Sequence, residues 1–294
     1  MGSLGNGFRV GHWTDDRSMT GCTVVLPPTG NVASCDIRGS SPGSREIESL
    51  KTSKRLNEIH GLLLTGGSAF GLGAADGVMA WLSERDIGYR TPVARIPIVP
   101  TAVVFDLGAG RAHWPRPEHA RAACNDAVET VTTGRIGAGT GCTVGKWAGR
   151  EYGVPGGVGL AEIEEEGHRL AALAVVNSIG DVLDDDGSMI AGTSAADPRF
   201  WQPPPDEGRL GANTVLAVVS TEAQLDKRDV RFLAARGSDG ITVAVRPAHT
   251  RYDGDVVFAI AGPPDEAAPP ASADILGVLA TKAVAEAVRN AVRS

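Results

Sequence analysis

The segment TVLAVVST, residues 214–221, constrains the fold of this chain more than any other stretch. Its run of apolar and β-branched side chains, interrupted only by Ser220, is typical of a strand that is buried in a sheet. It follows directly on residues 184–213, a stretch rich in glycine, proline and acidic residues that favours irregular structure. A loop of about 30 residues inside a domain is usually either functional or disordered. The abrupt boundary leaves two hypotheses: a surface turn ends at Asn213 and Thr214, or the chain is cut there and Thr214 becomes a new N-terminus.

Apolar runs elsewhere predict further strands, and segments with apolar residues at helical spacing predict helices. The predicted strands are 22–26, 60–65, 157–166, 168–178 and 255–262, and the predicted helices are 44–58, 72–88, 116–134, 222–237 and 273–294. Some strands follow each other as hairpins, while helices cluster between others. This order favours α+β layers, with sheets sandwiched between helices, in a single domain of residues 1–294.

The charge balance limits the partners that the chain can take. Lys and Arg number 28 against 35 Asp and Glu, and the formal net charge of −7 argues against nucleic acid or an anionic membrane surface as a partner. Residues 1–10 lack the charged and apolar regions of a signal peptide, and no apolar run reaches membrane-spanning length. We therefore expect a cytoplasmic protein.

The cysteines and histidines form no metal-binding pattern. Cys22, Cys35, Cys124 and Cys142 lie far apart without a C-x-x-C pair, and the six histidines show no H-x-x-x-H spacing. Cysteines in such a context are expected to be small buried hydrophobic residues rather than disulfides or zinc ligands. No metal and no other cofactor is predicted.

The segment LLLTGGSAFGLGAADG, residues 62–77, runs from a predicted strand through glycines into a predicted helix. Its glycines do not form G-x-G-x-x-G, and no acidic residue follows at the spacing that a dinucleotide-binding fold requires. What remains is a helix N-terminus at Gly66, Gly67 and Ser68, whose backbone N–H groups can hold a carboxylate or an oxyanion.

Four polar residues next to apolar runs each have an ordinary interpretation beside a functional one. Lys146 in GAGTGCTVGK is either a surface lysine or a partly buried cation that lowers the pKa of a nucleophile. Asn177 ends LAALAVVN, where it either closes a turn or faces a ligand oxygen. Asp253 and Asp255 bracket Gly254, where they either form a turn or orient the proton of a nucleophile. Composition does not choose between these interpretations.

The functional interpretations of these four residues agree with each other if Thr214 is a nucleophile. An N-terminal threonine needs no histidine, because its own α-amine, with a pKa of about 7.7–8.0, can take the hydroxyl proton. The chain has no G-x-S-x-G motif and no cysteine in a recognisable nucleophilic context. Before cleavage, the same hydroxyl can attack the carbonyl of Asn213 to form an ester that water opens.

Ordered segments across residues 8–262 resemble the DmpA/BapA-type aminopeptidases, self-processing N-terminal-nucleophile hydrolases that include the nylon-oligomer hydrolase. The segments are VVLPPTGNVASCDIRGSSPGSRE, GLLLTGGSAFGLGAADGVMAWL, IPIVPTAVVFDL, GAGTGCTVGKWAG, PGGVG, AVVNSIGDV, NTVLAVVSTEAQL and VRPAHTRYDGDVVFAIA. The resemblance implies a four-layer αββα sandwich whose strand connectivity differs from that of other N-terminal-nucleophile hydrolases. It also implies cleavage into chains 1–213 and 214–294, which stay together as αβ units of a homo-oligomer.

The same resemblance implies roles for individual residues. Thr214 matches the nucleophile, and threonine at this position is similar to the nylon-hydrolase branch. Lys146 and Asn177 match residues that line the site, the asparagine helping to hold the oxyanion. Asp253 and Asp255 match the acidic pair that orients the nucleophile and its amine.

Two segments depart from the pattern of that family. Residues 236–245, RGSDGITVAV, stand where A-H-D-G and a short helix are common, and residues 197–213 are short for the family and contain Trp-Pro-Pro-Pro. Both departures change the expected shape of the substrate pocket. Neither of them removes a residue that self-cleavage is expected to require.

The leading hypothesis is a self-processing amidase or aminopeptidase that cleaves small amides or short peptides through Thr214. One alternative is an acyltransferase that passes the Thr214 acyl group to an amine, as in the similar architecture of ornithine acetyltransferase. Another is an unprocessed binding protein of the same fold.

Overall fold

The computed structural model describes residues 2–165, 167–196, 213–263 and 272–293. Within these ranges the long apolar runs form two five-stranded sheets, and four α-helices cover them. The strands of the two sheets are β1 (Arg9–Asp15), β2 (Thr20–Leu26), β3 (Val32–Ile37), β4 (Ser44–Arg45), β5 (Leu62–Thr65), β6 (Thr101–Val103), β7 (Gly157–Glu165), β8 (His168–Asn177), β9 (Thr214–Thr221) and β10 (Val256–Ala261). The helices are α1 (Ala75–Ser83), α2 (Pro117–Asn125), α3 (Lys227–Ala244) and α4 (Ala273–Arg293).

The first sheet has the strand order β7–β8–β9–β10–β3, so β9 lies at its centre. It runs antiparallel to β8 and parallel to β10. Every residue of β9 is buried, as the apolar run predicts. The strand begins at Thr214, which confirms the predicted boundary.

The second sheet has the strand order β1–β2–β5–β6–β4, in which β5 and β6 are parallel. Its inner face packs against the inner face of the first sheet. Because side chains alternate along a strand, Leu216 and Val218 point into this inter-sheet core, and Leu62 and Leu64 of β5 meet them from the other side.

The outer faces of both sheets are covered by helices. Val215 and Ala217 of β9 share a core with α3 and α4, and Val24 and Leu63 share another core with α1 and α2. The layers are therefore helix, sheet, sheet and helix, which confirms the four-layer αββα sandwich. In the described part of the chain no helix is both long and apolar enough to cross a membrane.

Helix α3 occupies a different range from the predicted helix 222–237. It begins at Lys227 because the carboxylate of Asp226 accepts hydrogen bonds from two N–H groups of the first turn. It continues through the segment that departs from the family pattern and ends at Ala244. A β-carbon on Gly240 would lie 2.5 Å from the carbonyl oxygen of Thr281, so glycine permits α3 and α4 to approach closely here.

Helices α1 and α2 are shorter than predicted. The chain turns into a left-handed conformation at Asp86, φ 55°, and this ends the α1 region before Gly88. After α2 the chain forms the short strand Thr130–Val131, which pairs with Gly2–Ser3, instead of staying helical to Gly134.

The helix predicted over residues 44–58 is wrong. That segment contains the short strand β4 and a single 3₁₀ turn, Ile47–Leu50. The ammonium of Lys227 donates hydrogen bonds to the carbonyl oxygens of Ser49, Lys54 and Leu56. Those carbonyls therefore point at a side chain of α3 rather than along a helix axis.

Shorter elements complete the described ranges. Besides the pair above, the short strands are Tyr89–Arg90 with Arg95–Ile96, Thr143–Val144 with Val154–Pro155, and the three-stranded set of Met189–Ala191, Asp181–Leu183 and Val245–Arg246. The other 3₁₀ helices are Ser68–Ala74, Gly137–Gly139 and Arg150–Tyr152. The strand Met189–Ala191 lies inside the predicted irregular segment, and residues 197–212 of that segment lie outside the described residues.

Candidate active site

Thr214 lies at the start of β9, on the face that looks into the inter-sheet core. Asn177, the last residue of β8, is its partner in the strand ladder. Thr214 is only 4% exposed. Its Oγ1 donates a hydrogen bond to the carbonyl oxygen of Asn213 at 2.5 Å. The hydroxyl therefore lies beside the peptide bond at which cleavage is predicted.

The amide of Asn177 is held in one orientation by three neighbours. Its Oδ1 accepts hydrogen bonds from the backbone N–H of Thr143 at 3.0 Å and from Lys146 Nζ at 2.8 Å. Its Nδ2 donates to the carbonyl oxygen of Phe105 at 3.1 Å. The two donors at Oδ1 identify the oxygen, so the NH₂ group lies on the other side of the amide.

Lys146 is a buried lysine, so its interpretation as a surface residue is wrong. Its Nζ also donates to the backbone oxygen of Asn177 at 3.0 Å. Burial lowers the pKa of Lys146 to about 7; the positive charge of Arg150 adds to this shift, while the negative charge of Asp253 opposes it. The lysine therefore changes its charge near neutral pH.

Asp255 does more than form a turn before β10. Its Oδ1 accepts the backbone N–H of Val215 at 2.6 Å, one residue after Thr214. Its Oδ2 lies 2.7 Å from Nδ1 of His249 and 3.3 Å from the backbone nitrogen of the same residue. The carboxylate thus ties the start of β9 to the loop that precedes β10.

Asp253 has a different environment from Asp255. Its Oδ2 accepts hydrogen bonds from the backbone N–H of Thr250 at 2.8 Å and from its hydroxyl at 2.6 Å. Burial and the negative charge of Asp255 together raise the pKa of Asp253 to about 6, against the hydrogen bonds from Thr250. Asp253 therefore changes its charge near pH 6.

Gly254 contributes a donor that sequence reasoning missed. Its backbone N–H donates to the carbonyl oxygen of Asn213 at 3.0 Å, the oxygen that Thr214 Oγ1 also contacts. A β-carbon at residue 254 would lie 2.5 Å from the carbonyl oxygen of Ser41, so only glycine fits. The Asp-Gly pair signals a turn in sequence, and a backbone donor leaves no further signal.

The backbone amides predicted to hold an oxyanion are already bonded within the protein. The N–H of Gly66 donates to Gly21, that of Ser68 to Val104, and that of Gly67 to the carboxylate of Asp106 at 2.7 Å. The predicted carboxylate partner is thus a residue of this chain. None of these three N–H groups is free to receive an oxyanion in this arrangement, because each already has an acceptor.

The four cysteines lie outside this cluster, are buried and form no disulfide. Burial raises the pKa of each thiol, so all four are neutral thiols rather than nucleophilic thiolates at neutral pH. In the described ranges no group of three or more His, Cys, Asp or Glu residues is arranged to hold a metal ion.

Comparison with known proteins identifies the family of the chain. The model of peptidase family S58 matches residues 6–294. An uncharacterised aminopeptidase of Mycobacterium leprae is 38% identical over 284 residues, which covers 87% of this chain and 76% of the relative. A 6-aminohexanoate-oligomer endohydrolase of a Kocuria species is 29% identical over 270 residues, covering 86% of this chain and 72% of that protein.

A solved structure shares the fold. The L-aminopeptidase D-Ala-esterase/amidase of Ochrobactrum anthropi, a serine aminopeptidase with a variant of the Ntn hydrolase fold, superposes with a TM-score of 0.74 at 19% identity. The match covers 98% of this chain and 85% of that one. Because the family model spans nearly the whole sequence and the fold agrees, the chain belongs to peptidase family S58.

Proposed function

We propose that this amide-bond hydrolase acts through Thr214, which becomes an N-terminal residue when the chain is cut after Asn213. The observation that most supports this is the environment of the carbonyl oxygen of Asn213. It accepts hydrogen bonds from Thr214 Oγ1 at 2.5 Å and from the N–H of Gly254 at 3.0 Å. A carbonyl with the attacking hydroxyl beside it and a fixed donor on its oxygen is prepared for nucleophilic attack.

The self-cleavage step follows from this geometry. Oγ1 of Thr214 attacks the carbonyl carbon of Asn213, and negative charge develops on the oxygen that the N–H of Gly254 contacts. The C–N bond breaks, the hydroxyl proton passes to the departing nitrogen of Thr214, and an ester remains. Water then hydrolyses the ester, which leaves a carboxylate on Asn213 and restores the hydroxyl of Thr214.

The same groups serve substrate hydrolysis after the cut. The free α-amine of Thr214 takes the hydroxyl proton as Oγ1 attacks the amide carbon of the substrate. The protonated amine then gives this proton to the leaving amine, and water resolves the acyl-enzyme. Asn177, oriented by Lys146, donates to the developing oxyanion. Asp255 holds the start of β9 through its hydrogen bond from the N–H of Val215. Asp253, which pairs with Asn213 in an isolated β-bridge, orients the new α-amine of Thr214.

The sheet order supports a stable two-chain product. Strands β9 and β10, which belong to the shorter product, are flanked in the first sheet by β8 and β3 of the longer one. The two chains therefore share one sheet and one core, so residues 1–294 remain a single domain after the cut. We infer that such αβ units form a cytoplasmic homo-oligomer.

The proposed substrates are small amides or short peptides. The relatives above are named for the cleavage of peptides and of 6-aminohexanoate oligomers, whose common element is an unactivated amide bond. The nucleophile and its neighbours are nearly inaccessible, which favours a narrow substrate.

Intact-mass analysis of purified protein tests the nucleophile directly. We expect the wild type to give chains 1–213 and 214–294 and to release amine from an amino-acid p-nitroanilide. Thr214→Ala should stay one chain and be inactive, whereas Thr214→Ser should still be cut and keep part of the activity. Thr221→Ala, at the other end of β9, is the matched control and should behave as wild type. An uncut Thr214→Ala protein with full activity would refute the proposal.

A further inference from the structure

We propose that His249 is a positioning residue of this site: its imidazolium holds the carboxylate of Asp255 in place, and Asp255 in turn holds the backbone next to Thr214. The proposal rests on the function proposed above for Thr214. His249 does not belong to the set of residues that the sequence singled out, and it lies in the short segment between α3 and β10.

Both ring nitrogens of His249 face oxygen atoms. Nε2 lies 3.0 Å from the carbonyl oxygen of Ser238 in α3, and Nδ1 lies 2.7 Å from Oδ2 of Asp255. A carbonyl oxygen can only accept a hydrogen bond, so Nε2 must carry a proton. The charge of the ring is then decided by the proton between Nδ1 and Asp255.

The other contacts of Asp255 assign that proton to the histidine. Oδ1 accepts the N–H of Val215 at 2.6 Å, and Oδ2 accepts the backbone N–H of His249 at 3.3 Å. A carboxyl group that receives several donors is stabilised in its ionised form. Asp255 is therefore an anion, Nδ1 carries a proton, and His249 is an imidazolium in a partly buried ion pair.

The surrounding charges agree with this assignment. Burial opposes the charged ring, but the hydrogen bond and the charge of Asp255 outweigh it and raise the pKa of His249. The positive charge of Arg38 acts in the opposite direction. That effect is reduced because Arg38 is itself paired with Asp36 at 2.9 Å and with Asp239 of α3 at 2.7 Å.

The backbone of His249 is also unusual. Its φ is 54°, in the left-handed region that only a few per cent of residues other than glycine adopt. Such a conformation persists where the surrounding contacts hold it, as the contacts to Asp255 and Ser238 do here. Asparagine is therefore a well-matched replacement, because it tolerates this backbone and its Nδ2 can donate near the position of Nδ1.

The proposed chain of contacts runs from His249 through Asp255 to Val215 and so to Thr214. His249 acts on Thr214 only through Asp255 and Val215. Its loss should therefore shift the position of the Thr214 amine, while the amine itself stays in the site. The expected effect is on kcat rather than on KM, as for other residues that orient a reacting group.

The experiment compares His249→Asn, which keeps a neutral donor, with His249→Ala, which removes the donor. His60→Asn is the control, since His60 precedes β5 and receives the N–H of Ile98, away from this cluster. We expect kcat to fall about 10-fold in His249→Asn and about 100-fold in His249→Ala, the range found for residues that orient a ligating or reacting group. Wild-type activity should fall as the pH rises through the raised pKa of His249, and both variants should lack this limb.

Nitrogen NMR of histidine-labelled protein gives a second measurement that does not depend on catalysis or on the folding of a variant. In the wild type, both ring nitrogens of His249 should be protonated at pH 7, and the signal is assigned by its absence from His249→Asn or, failing that, from contacts to Val215. A neutral ring at pH 7, or a His249→Asn enzyme with the wild-type kcat and pH profile, would overturn the proposal. A charged ring in a protein that is not cut after Asn213 would instead uphold the ion pair and count against Thr214 as the nucleophile.

Discussion

Asn177 and Thr214 are partners across β8 and β9, although the chain between them spans the predicted cleavage site. The pairing places the two residues directly opposite each other in the strand ladder, without the help of a loop. A site placed on paired strands is held by backbone hydrogen bonds on both sides, so we expect its geometry to survive the predicted cut after Asn213.

Asn177→Ala tests the oxyanion role. We expect kcat to fall by about 10²–10³, the usual loss for one oxyanion donor. Steady-state kinetics with a p-nitroanilide substrate measures it, and Asn290→Ala, whose side chain bonds to Leu160 far from the site, is the matched control. A change limited to KM would mean that Asn177 binds the substrate and does not stabilise the transition state.

Asp253→Asn and Asp255→Asn should separate the two carboxylates. The pKa of Asp253 is raised to about 6, so its ionised form, and with it the wild-type activity, should increase as the pH rises through about 6. We expect each substitution to lower kcat at least about tenfold, as the loss of an orienting carboxylate does. The acid limb near pH 6 should disappear only in Asp253→Asn. A limb that persists there would assign it to another group.

Much of the fold could be predicted because its signals are local. The strand TVLAVVST begins where the composition changes, and its burial follows from its apolar side chains alone. The helix predicted over 44–58 does not form, because backbone carbonyl oxygens of this segment accept hydrogen bonds from the ammonium of Lys227. That lysine is distant in the sequence, so the segment alone does not reveal it. The extension of α3 to Ala244 depends on its packing against α4, which a single segment does not reveal.

The site was predictable to the extent that it consists of side chains with known chemistry. Thr214, Lys146 and Asn177 do lie together. The donor from Gly254 and the ion pair of His249 were not predictable, since one is a backbone group and the other depends on the contacts of a residue in α3. The acceptors that the amides of Gly66 and Gly67 have in this structure were not predictable either, because they come from other strands and loops.

Lys146→Met should change the pH dependence of stability. With a pKa of about 7 in the folded state against 10.5 in the unfolded state, the unfolded chain binds more protons between these values, so wild-type stability should rise with pH in this window. The buried ammonium therefore lowers the free energy of unfolding by its full amount at pH values below 7. Urea unfolding at pH 6 and at pH 9.5 should therefore show Lys146→Met gaining on the wild type at the lower pH. An equal difference at both values would mean that Lys146 titrates normally.

Asp106→Asn should stabilise the protein above pH 6. Asp106 is 2% exposed, and burial raises its pKa to about 6 despite hydrogen bonds from Thr20 and Gly67. Between pH 3.8 and 6 the folded state binds more protons than the unfolded one, so stability is lost as the pH rises through this window, and the cost is complete above it. An asparagine cannot ionise, while its Oδ1 can still accept from Gly67 and its Nδ2 can donate to the hydroxyl of Thr20.

The gain in the free energy of unfolding should reach at most about 3 kcal/mol at pH 8, since each pKa unit corresponds to about 1.4 kcal/mol, and it should shrink toward pH 4. Urea denaturation at the two pH values measures it, with Asp76→Asn, an exposed carboxylate of α1, as the control. A variant that is less stable than the wild type at pH 8 would show that the ionised carboxylate is needed to hold the N–H of Gly67. The kcat of Asp106→Asn is a further measurement. It should stay within a few-fold of the wild-type value if the backbone amides of Gly66–Ser68 only shape the loop. A large loss of kcat would mean that these amides take part in the reaction.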